Sequence, residues 1–525
     1  MKKAIIFIIL ITVSFGCNKD LDIAPVDSTS ELTFWETEED ARIFLNSMYA
    51  DLMSADFYLF LNALSDDAYT KGREEYRNLA NGNYGSSNAT VSQAWSSRYE
   101  AIRRANIFFN NIDDVVEISD ADRQSYKAQA RFIRAWHYFF LIELYGDVPL
   151  ITDEISIEES LVLERDDRSK VLTFIYDELE MAITNLPEDG YPAEERGRIT
   201  RDAGIAFKAR VHLFNEDYET AANLAEQLLG KYELFSNYDE LFDTENEYAE
   251  EIMLSLQYVP TDREHNLQYS LIPPSLGGYA NFSPLQELVN SYPTIDGLPI
   301  DDPDADYDEN NPYQNRDPRL EASIIYDEYT MTGFDGNQVT IDTSPGAAPD
   351  GLNYSSNSTP TGYYVSKFYD PEARNQTNSG LNLILIRYAE VLLTYAEAKI
   401  EMGTFTEQDW NTTIRAIRER AGLQGQALEF PGNDPVVLRD ILRNERRIEL
   451  AFEAGHRFFD IRRWKIAEDV LEGWAHGIPT ETAIGEDGYT RVDFRTFDES
   501  KHYLWPIPLS EIEINDNLSP NNPNW

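Results

Sequence analysis

The chain has 525 residues, enough to bury a large core, and carries 93 Asp and Glu against 44 Lys and Arg, a formal net charge of −49. That balance excludes nucleic acid as a general partner, because neutralising phosphates takes basic patches; any polyanionic ligand would need a basic pocket of its own. With 31 Tyr, 26 Phe and 8 Trp, the chain is too aromatic to be a disordered acidic polymer.

The single cysteine, Cys17, ends the only long apolar run. Lys2 and Lys3 open that run, Ala4 to Phe15 continue it, and Gly16 precedes the cysteine. The stretch is too short to span a membrane comfortably. It resembles a bacterial lipoprotein signal over residues 1–16, with cleavage before Cys17 and acylation there, although Ser14 stands where such signals usually have Leu. Several acyl chains anchor a protein stably where one does not. Residues 17–32 then read as the acylated start and a polar tether. The lack of later cysteines excludes thiol nucleophiles and cysteine-held zinc.

After Phe34-Trp35, apolar residues Ala41, Phe44, Leu45, Met48, Tyr49 and Leu52 recur at helical spacing and predict a helix over 38–55. From Ser65 to Ser92 the period disappears. This stretch, with Asp67, Tyr69, Arg73, Tyr76, Arg77, Asn81, Asn83 and Tyr84, reads as a long loop, and long loops in compact domains usually bind something or are disordered. Trp95, Tyr99, Ile102, Asn106 and Phe109 mark the next helix, and a long one follows from about Ala121 to Tyr145. Arg168 to Leu186 is amphipathic, Thr200 caps its successor, and Ala209, Tyr218, Ala221 and Ala225 have the small-and-aromatic spacing of a tetratricopeptide-like helix pair.

Residues 231–384 differ: they are rich in Pro, Gly, Asn and Asp. Ile252 to Tyr258 alternates like a strand. Gly277-Gly-Tyr-Ala-Asn-Phe282 reads as an exposed aromatic loop, with Tyr279 and Phe282 outward. Asp302, Asp304 and Asp306 alternate as in a calcium loop, but Tyr307 and Tyr313 replace the turn glycine and closing glutamate of an EF-hand, so calcium is a minor candidate beside a solvated acidic loop. No Gly-x-Ser-x-Gly elbow, His-Glu-x-x-His or Walker A run occurs, and no cofactor is expected.

Helices resume at Arg387 and lead to the most distinctive stretch. Asp434 and Pro435 open a helix as N-cap and first residue, and Gly455 is the expected stop. Along it Arg443, Glu445, Arg446, Arg447, Glu449 and Glu453 alternate in sign, followed by Arg457, Asp460, Arg462 and Arg463, with Phe452, Phe458, Phe459 and Trp464 between them. Charges interleaved with aromatics predict buried arginine–carboxylate pairs, since a buried charge without a partner is costly. His456 in this stretch reads as structural.

This stretch strongly resembles the signature of the SusD/RagB family of Bacteroidetes outer-membrane lipoproteins: Asn444 to Leu450, Glu453 to Arg457 and Phe459 to Trp464. The resemblance extends to Leu21, Asp22, Pro25, Phe34, Trp35, Asp40, Ala41, Asn46 and Tyr49, and to Ala130 to Ala135 and Gly146 to Pro149. It continues through Asn315 to Leu320, Thr361 to Tyr364, Leu504 to Pro508 and Asn522 to Trp525. It implies a mainly α fold in which tetratricopeptide-like helix pairs form a scaffold for a loop-rich, minor-β ligand-binding region. The expected divisions are a helical region over 33–230, a loop-rich one over 231–384 and a helical one over 385–525, all one compact unit. The resemblance also implies a non-catalytic receptor on the outer membrane, facing the cell surface. It would capture oligosaccharide or polysaccharide and hand it to a SusC-like TonB-dependent transporter. The competing readings are a helical-repeat adaptor that binds only protein and a surface glycoside hydrolase. The expected glycan contacts are Tyr69, Tyr76, Asn81, Asn83 and Tyr84, with Tyr279 and Phe282 as a second wall, Arg73 and Arg77 as donors and Asp67 as acceptor.

Overall fold

Thr37 starts the first helix through a capping box: its hydroxyl accepts from the Asp40 N–H, and the Asp40 carboxylate accepts from the Thr37 N–H. In the computed structural model, which describes residues 35–188, 190–480 and 488–525, this helix is α1 (Glu38–Ala50). Cys17, the signal, the tether and Phe34 lie outside the described residues. The helix expected to reach residue 55 ends earlier, because Ser54 caps a second helix, α2 (Ala55–Phe60), by accepting from the Phe57 N–H. The expected loop after Ser65 is likewise shorter. It contains a strand, Ala68–Thr70, and a helix, α3 (Glu74–Ala80), before Asn88 caps α4 (Ala89–Asn111). Seven residues are too few to declare a helical period, which is why α3 is not legible as one.

Ser119 caps α5 (Asp120–Tyr145), the column around which the helices stack. Trp136 is fully buried, and its indole N–H donates to the Leu52 carbonyl at 2.9 Å, tying α5 to the end of α1. Helix α4 packs on α5, and α5 on Arg168–Asn185; Arg201–Phe214, Tyr218–Glu226, Tyr388–Glu401 and Pro435–Glu449 follow in turn, each against its predecessor. This is the expected mainly α, tetratricopeptide-like stack. Short two-stranded sheets stitch the loop-rich region to it. Ala68–Thr70 pairs antiparallel with Phe282–Pro284, Ile252–Leu256 with Leu383–Arg387, and Gly473–Pro479 with Tyr489–Arg495. One apolar core runs from Ala41 to Leu518 and draws on helices and loops alike.

The signature helix starts as read, with Asp434 accepting from the Val436 N–H, but stops at Glu449. Gly455, at φ +76°, begins the next helix, His456–Arg463, instead of ending this one. A side chain at Gly455 would lie 2.7 Å from the Leu61 Cβ, so the chain turns there at a point only glycine fits.

The interleaved charges form a buried lattice. Arg387 uses all five of its N–H groups. Nη1 reaches Glu251 at 2.8 Å and Glu449 at 2.6 Å, Nε and Nη2 hold Glu453 at 2.8 and 2.9 Å, and Nη2 also meets the Glu449 carbonyl at 2.7 Å. Lys367 is equally complete, donating to Glu453, Tyr238 and the Ala451 carbonyl. Arg319 spans Asp317, Glu445 and Glu449. Burial alone would raise the Glu449 carboxyl, but Arg420, Arg387 and Arg319 hold it well below the usual carboxylate range.

Candidate functional site

The signature fixes the segment that follows Ser65. Arg457 grips Asp66 through both carboxylate oxygens at 2.8 Å, and Arg447 bonds Asp67 at 2.7 Å. Asp67 is therefore fully buried in an ion pair and is not a hydroxyl acceptor facing solvent. Phe282 needs the same correction. It pairs with Thr70 in the small sheet, and its ring packs edge-on against Phe60 and Phe452 at 6.0 and 5.5 Å, with no exposed surface. An aromatic next to a Gly-rich loop had suggested exposure, but strand alternation turns it inward.

The remaining expected residues fall into three places. Arg73 and Tyr76, at the start of α3, line a cleft of about 920 Å³. The cleft lies between the α1–α2 junction, α3, the first half of α4 and residues 258–266. Tyr76 packs on Phe60 at 5.4 Å, while Arg73 lies over the same ring and bridges Asp56 at 2.8 Å. Arg77 and Tyr69 point the other way, beside Asp493 of the strand Tyr489–Arg495. Asn81 caps the end of α3 and accepts from the Asn83 N–H at 3.1 Å; Asn83 is exposed. Tyr84 sits in a third place, against Trp525 at 4.7 Å and His502 at 5.3 Å.

Tyr279 is 37% exposed and stacks on Tyr269, with ring centroids 4.0 Å apart and 23° between planes. Its N–H donates to the Tyr269 carbonyl at 2.9 Å. The chain between them turns back through Pro273-Pro274 and Gly277-Gly278. A Cβ on Gly278 would fall 1.8 Å from the Ile272 carbonyl oxygen, so that close approach requires glycine. The segments that carry the pair reach the cleft: the Lys71 N–H donates to the Asn281 carbonyl at 3.2 Å, and Gly72 beside it lines the cleft. Asn266, three residues before Tyr269, lines it too.

Aromatic faces, amides and charges thus meet along one polar cleft and its rim, the chemistry that binds rings bearing many hydroxyls. Sequence reasoning missed Tyr269. Two tyrosines flanking a Pro-Pro and Gly-Gly turn were the available signal. It also missed Arg98, which lines the cleft from α4 at a position in step with the buried Val91, Ala94, Trp95, Ala101, Ile102 and Ala105.

In the acidic stretch the carboxylates bond within the loop. The Asp302 carboxylate accepts from the Asp304 N–H at 2.9 Å and Asp306 from the Asn315 amide at 2.8 Å, so these groups close local turns. No three acids or histidines among the described residues gather as metal ligands. His456 is buried, and that burial lowers its pKa to about 4.

Comparison with known proteins agrees with this architecture. The SusD family model matches residues 242–525, and a second model, described as starch-binding associating with outer membrane, matches residues 28–213. The chain belongs to the SusD family. It is 27% identical to the SusD-like protein P25 of Formosa agariphila over 98% of this chain and 97% of that one. It is 24% identical to the starch-binding protein SusD of Bacteroides thetaiotaomicron over 78% and 75% of the two chains. Among solved structures, a SusD-like carbohydrate-binding protein from Bacteroides fragilis superposes with a TM-score of 0.85 at 29% identity, covering 93% of this chain and all of the other. No described helix is long and apolar enough to cross a membrane.

Proposed function

We propose that this protein is a non-catalytic, outer-membrane glycan receptor, anchored by lipid on Cys17, that captures oligosaccharide at the cell surface and passes it to a SusC-like TonB-dependent transporter. The exposed Tyr269–Tyr279 stack on the rim of the polar cleft carries this reading. A flat aromatic face beside amides and hydroxyl donors suits a pyranose ring, and a site fixed by a tight turn loses little entropy on binding. Membership of the SusD family supports it, as do the carbohydrate-binding and starch-binding relatives. In this reading Tyr279, Tyr269, Tyr76 and Arg73 form the contact surface, while Tyr69, Arg77, Asn81, Asn83 and Tyr84 set the position of α3 and its flanks.

A glycan array followed by calorimetry tests it. Tyr279→Ala should weaken the best oligosaccharide about ten-fold, equivalent to about 1.4 kcal/mol, without moving thermal unfolding. A protein that bound no glycan yet co-purified with the transporter would be an adaptor. Release of reducing ends that vanished on mutating one carboxylate pair would make it a hydrolase. Loss of outer-membrane fractionation in Cys17→Ala tests the anchor.

A further inference from the structure

Arg98 is a buried cation with nothing to neutralise it. Its side chain is 3% exposed. Its guanidinium lies between two rings, 4.7 Å from the centroid of Phe57 and 4.9 Å from that of Phe140. Nε and Nη2 have no hydrogen-bond partner, and no carboxylate among the described residues bridges the group. The ionisable groups around it are the phenols of Tyr76 and Tyr145 and the imidazole of His137. His137 is fully buried, lacks a partner at either ring nitrogen and is held neutral by burial. Burial lowers the Arg98 pKa only to about 10, so the charge persists at neutral pH.

This charge faces the cleft, whose walls carry six acids: Asp51, Asp56, Glu74, Glu75, Glu100 and Glu264. Four of them are already paired. Arg104 bridges Asp51 and Glu100, Arg73 bridges Asp56, and Arg374 clasps Glu264. Three arginines thus offset about half of the rim's negative charge, whereas the floor cation has no carboxylate of its own. A buried arginine without acceptors is costly, and the cost disappears when an anion with two oxygens meets the planar fork.

We infer that Arg98 is the recognition point for an anionic group, a carboxylate or sulfate, on a sugar unit held in the cleft. This rests on the glycan reading above and adds the substrate class: acidic rather than neutral saccharides. It places one local positive charge on the floor of a cleft whose walls are acidic.

Affinity electrophoresis of the detergent-solubilised protein tests it. Native gels would contain polygalacturonate or alginate as carboxylate probes, carrageenan as the sulfate probe, and laminarin or starch as neutral ones. Retardation is expected in an acidic gel, weakening with added salt and falling at least ten-fold in Arg98→Gln; the carboxylate and sulfate arms tell which anion is read. Retardation only by neutral gels, or acidic retardation unchanged in Arg98→Gln, would overturn the inference and leave the glycan reading standing. Retardation by no gel would sink both. Arg98→Met provides the fold control. An unpaired charge kept for a ligand should leave both variants unfolding at or above the wild-type temperature. A fall of many degrees in both would make Arg98 structural and overturn the inference.

Discussion

Two regions of this molecule bury arginine in opposite ways. In the signature lattice, Arg387 satisfies every N–H with a carboxylate or carbonyl, and Arg319 and Arg420 converge with it on Glu449. On the cleft floor, Arg98 is equally buried but has ring faces and no acceptor. Burial is common to both; what differs is the surrounding carboxylates, which the lattice arginines have even where one N–H is unmatched, as at Arg420 Nε and Arg446 Nη1, and which Arg98 lacks. A lattice of paired charges holds the fold together, whereas a buried cation without a carboxylate adds a cost that the fold itself does not offset.

The comparison breaks most visibly at Glu449. Glu449→Ala removes the carboxylate shared by three buried arginines and should lower unfolding stability by about 3–5 kcal/mol in a denaturant titration. A loss below about 1 kcal/mol would mean that the lattice does not hold the fold. Arg446→Ala should fall in the same class, because Arg446 ties the signature helix to both Asp460 and Glu397.

Buried histidines form an intermediate case, groups that shed their charge on folding. Burial lowers His265 and His456 to about 4. Below pH 6.5 the unfolded chain binds protons that the folded chain refuses, so stability should fall as pH drops from about 6.5 to 4. Glu449, held ionised, keeps its contribution above its unfolded pKa and loses it only in stronger acid. Thermal unfolding at pH 7.5, 5.5 and 4.5 should therefore step down while Glu449 is still ionised; a flat profile across that window would contradict the buried, neutral imidazoles.

Smaller effects sharpen the other side. Tyr269→Ala removes the support beneath Tyr279 and should cost about 1 kcal/mol of ligand affinity with unfolding unchanged, the reverse of the Glu449 variant. The smallest is Asp304→Asn, in an exposed acidic turn. Stability should stay within about 0.5 kcal/mol, and added calcium should not raise the unfolding temperature.

The stack of helices was legible because long apolar periods survive any tertiary context, as in α5, and because caps such as Ser119, Thr200 and Asp434 act locally. The buried pairing of the signature was legible as a type of interaction, though not as a partner list: Arg387 and Arg319 come from segments 60 or more residues away. The site was half legible. Polar, aperiodic composition located the 65–88 segment but did not reveal α3, which turns Arg73 and Tyr76 to one side and Arg77 to the other. Asp67 and Phe282 have the right chemistry for a ligand, yet a salt bridge and a strand partner, both distant in the chain, consume them. Arg98 was visible only as a charge in step with an apolar face, a conflict between levels of the kind that marks functional positions.

The glycine at 278 divides the aromatic loop into a part that tolerates change and a part that does not. Any side chain there collides with the Ile272 carbonyl, so the backbone path between Tyr269 and Tyr279 is set by one residue with no alternative. The ring at 279, in contrast, projects from that path with open surface and stacks on Tyr269. Selection, or a mutant library, can exchange the ring for tryptophan, histidine or a short polar group without reshaping the loop. The exposed ring and the path of the backbone can thus drift independently, separated by a single peptide unit.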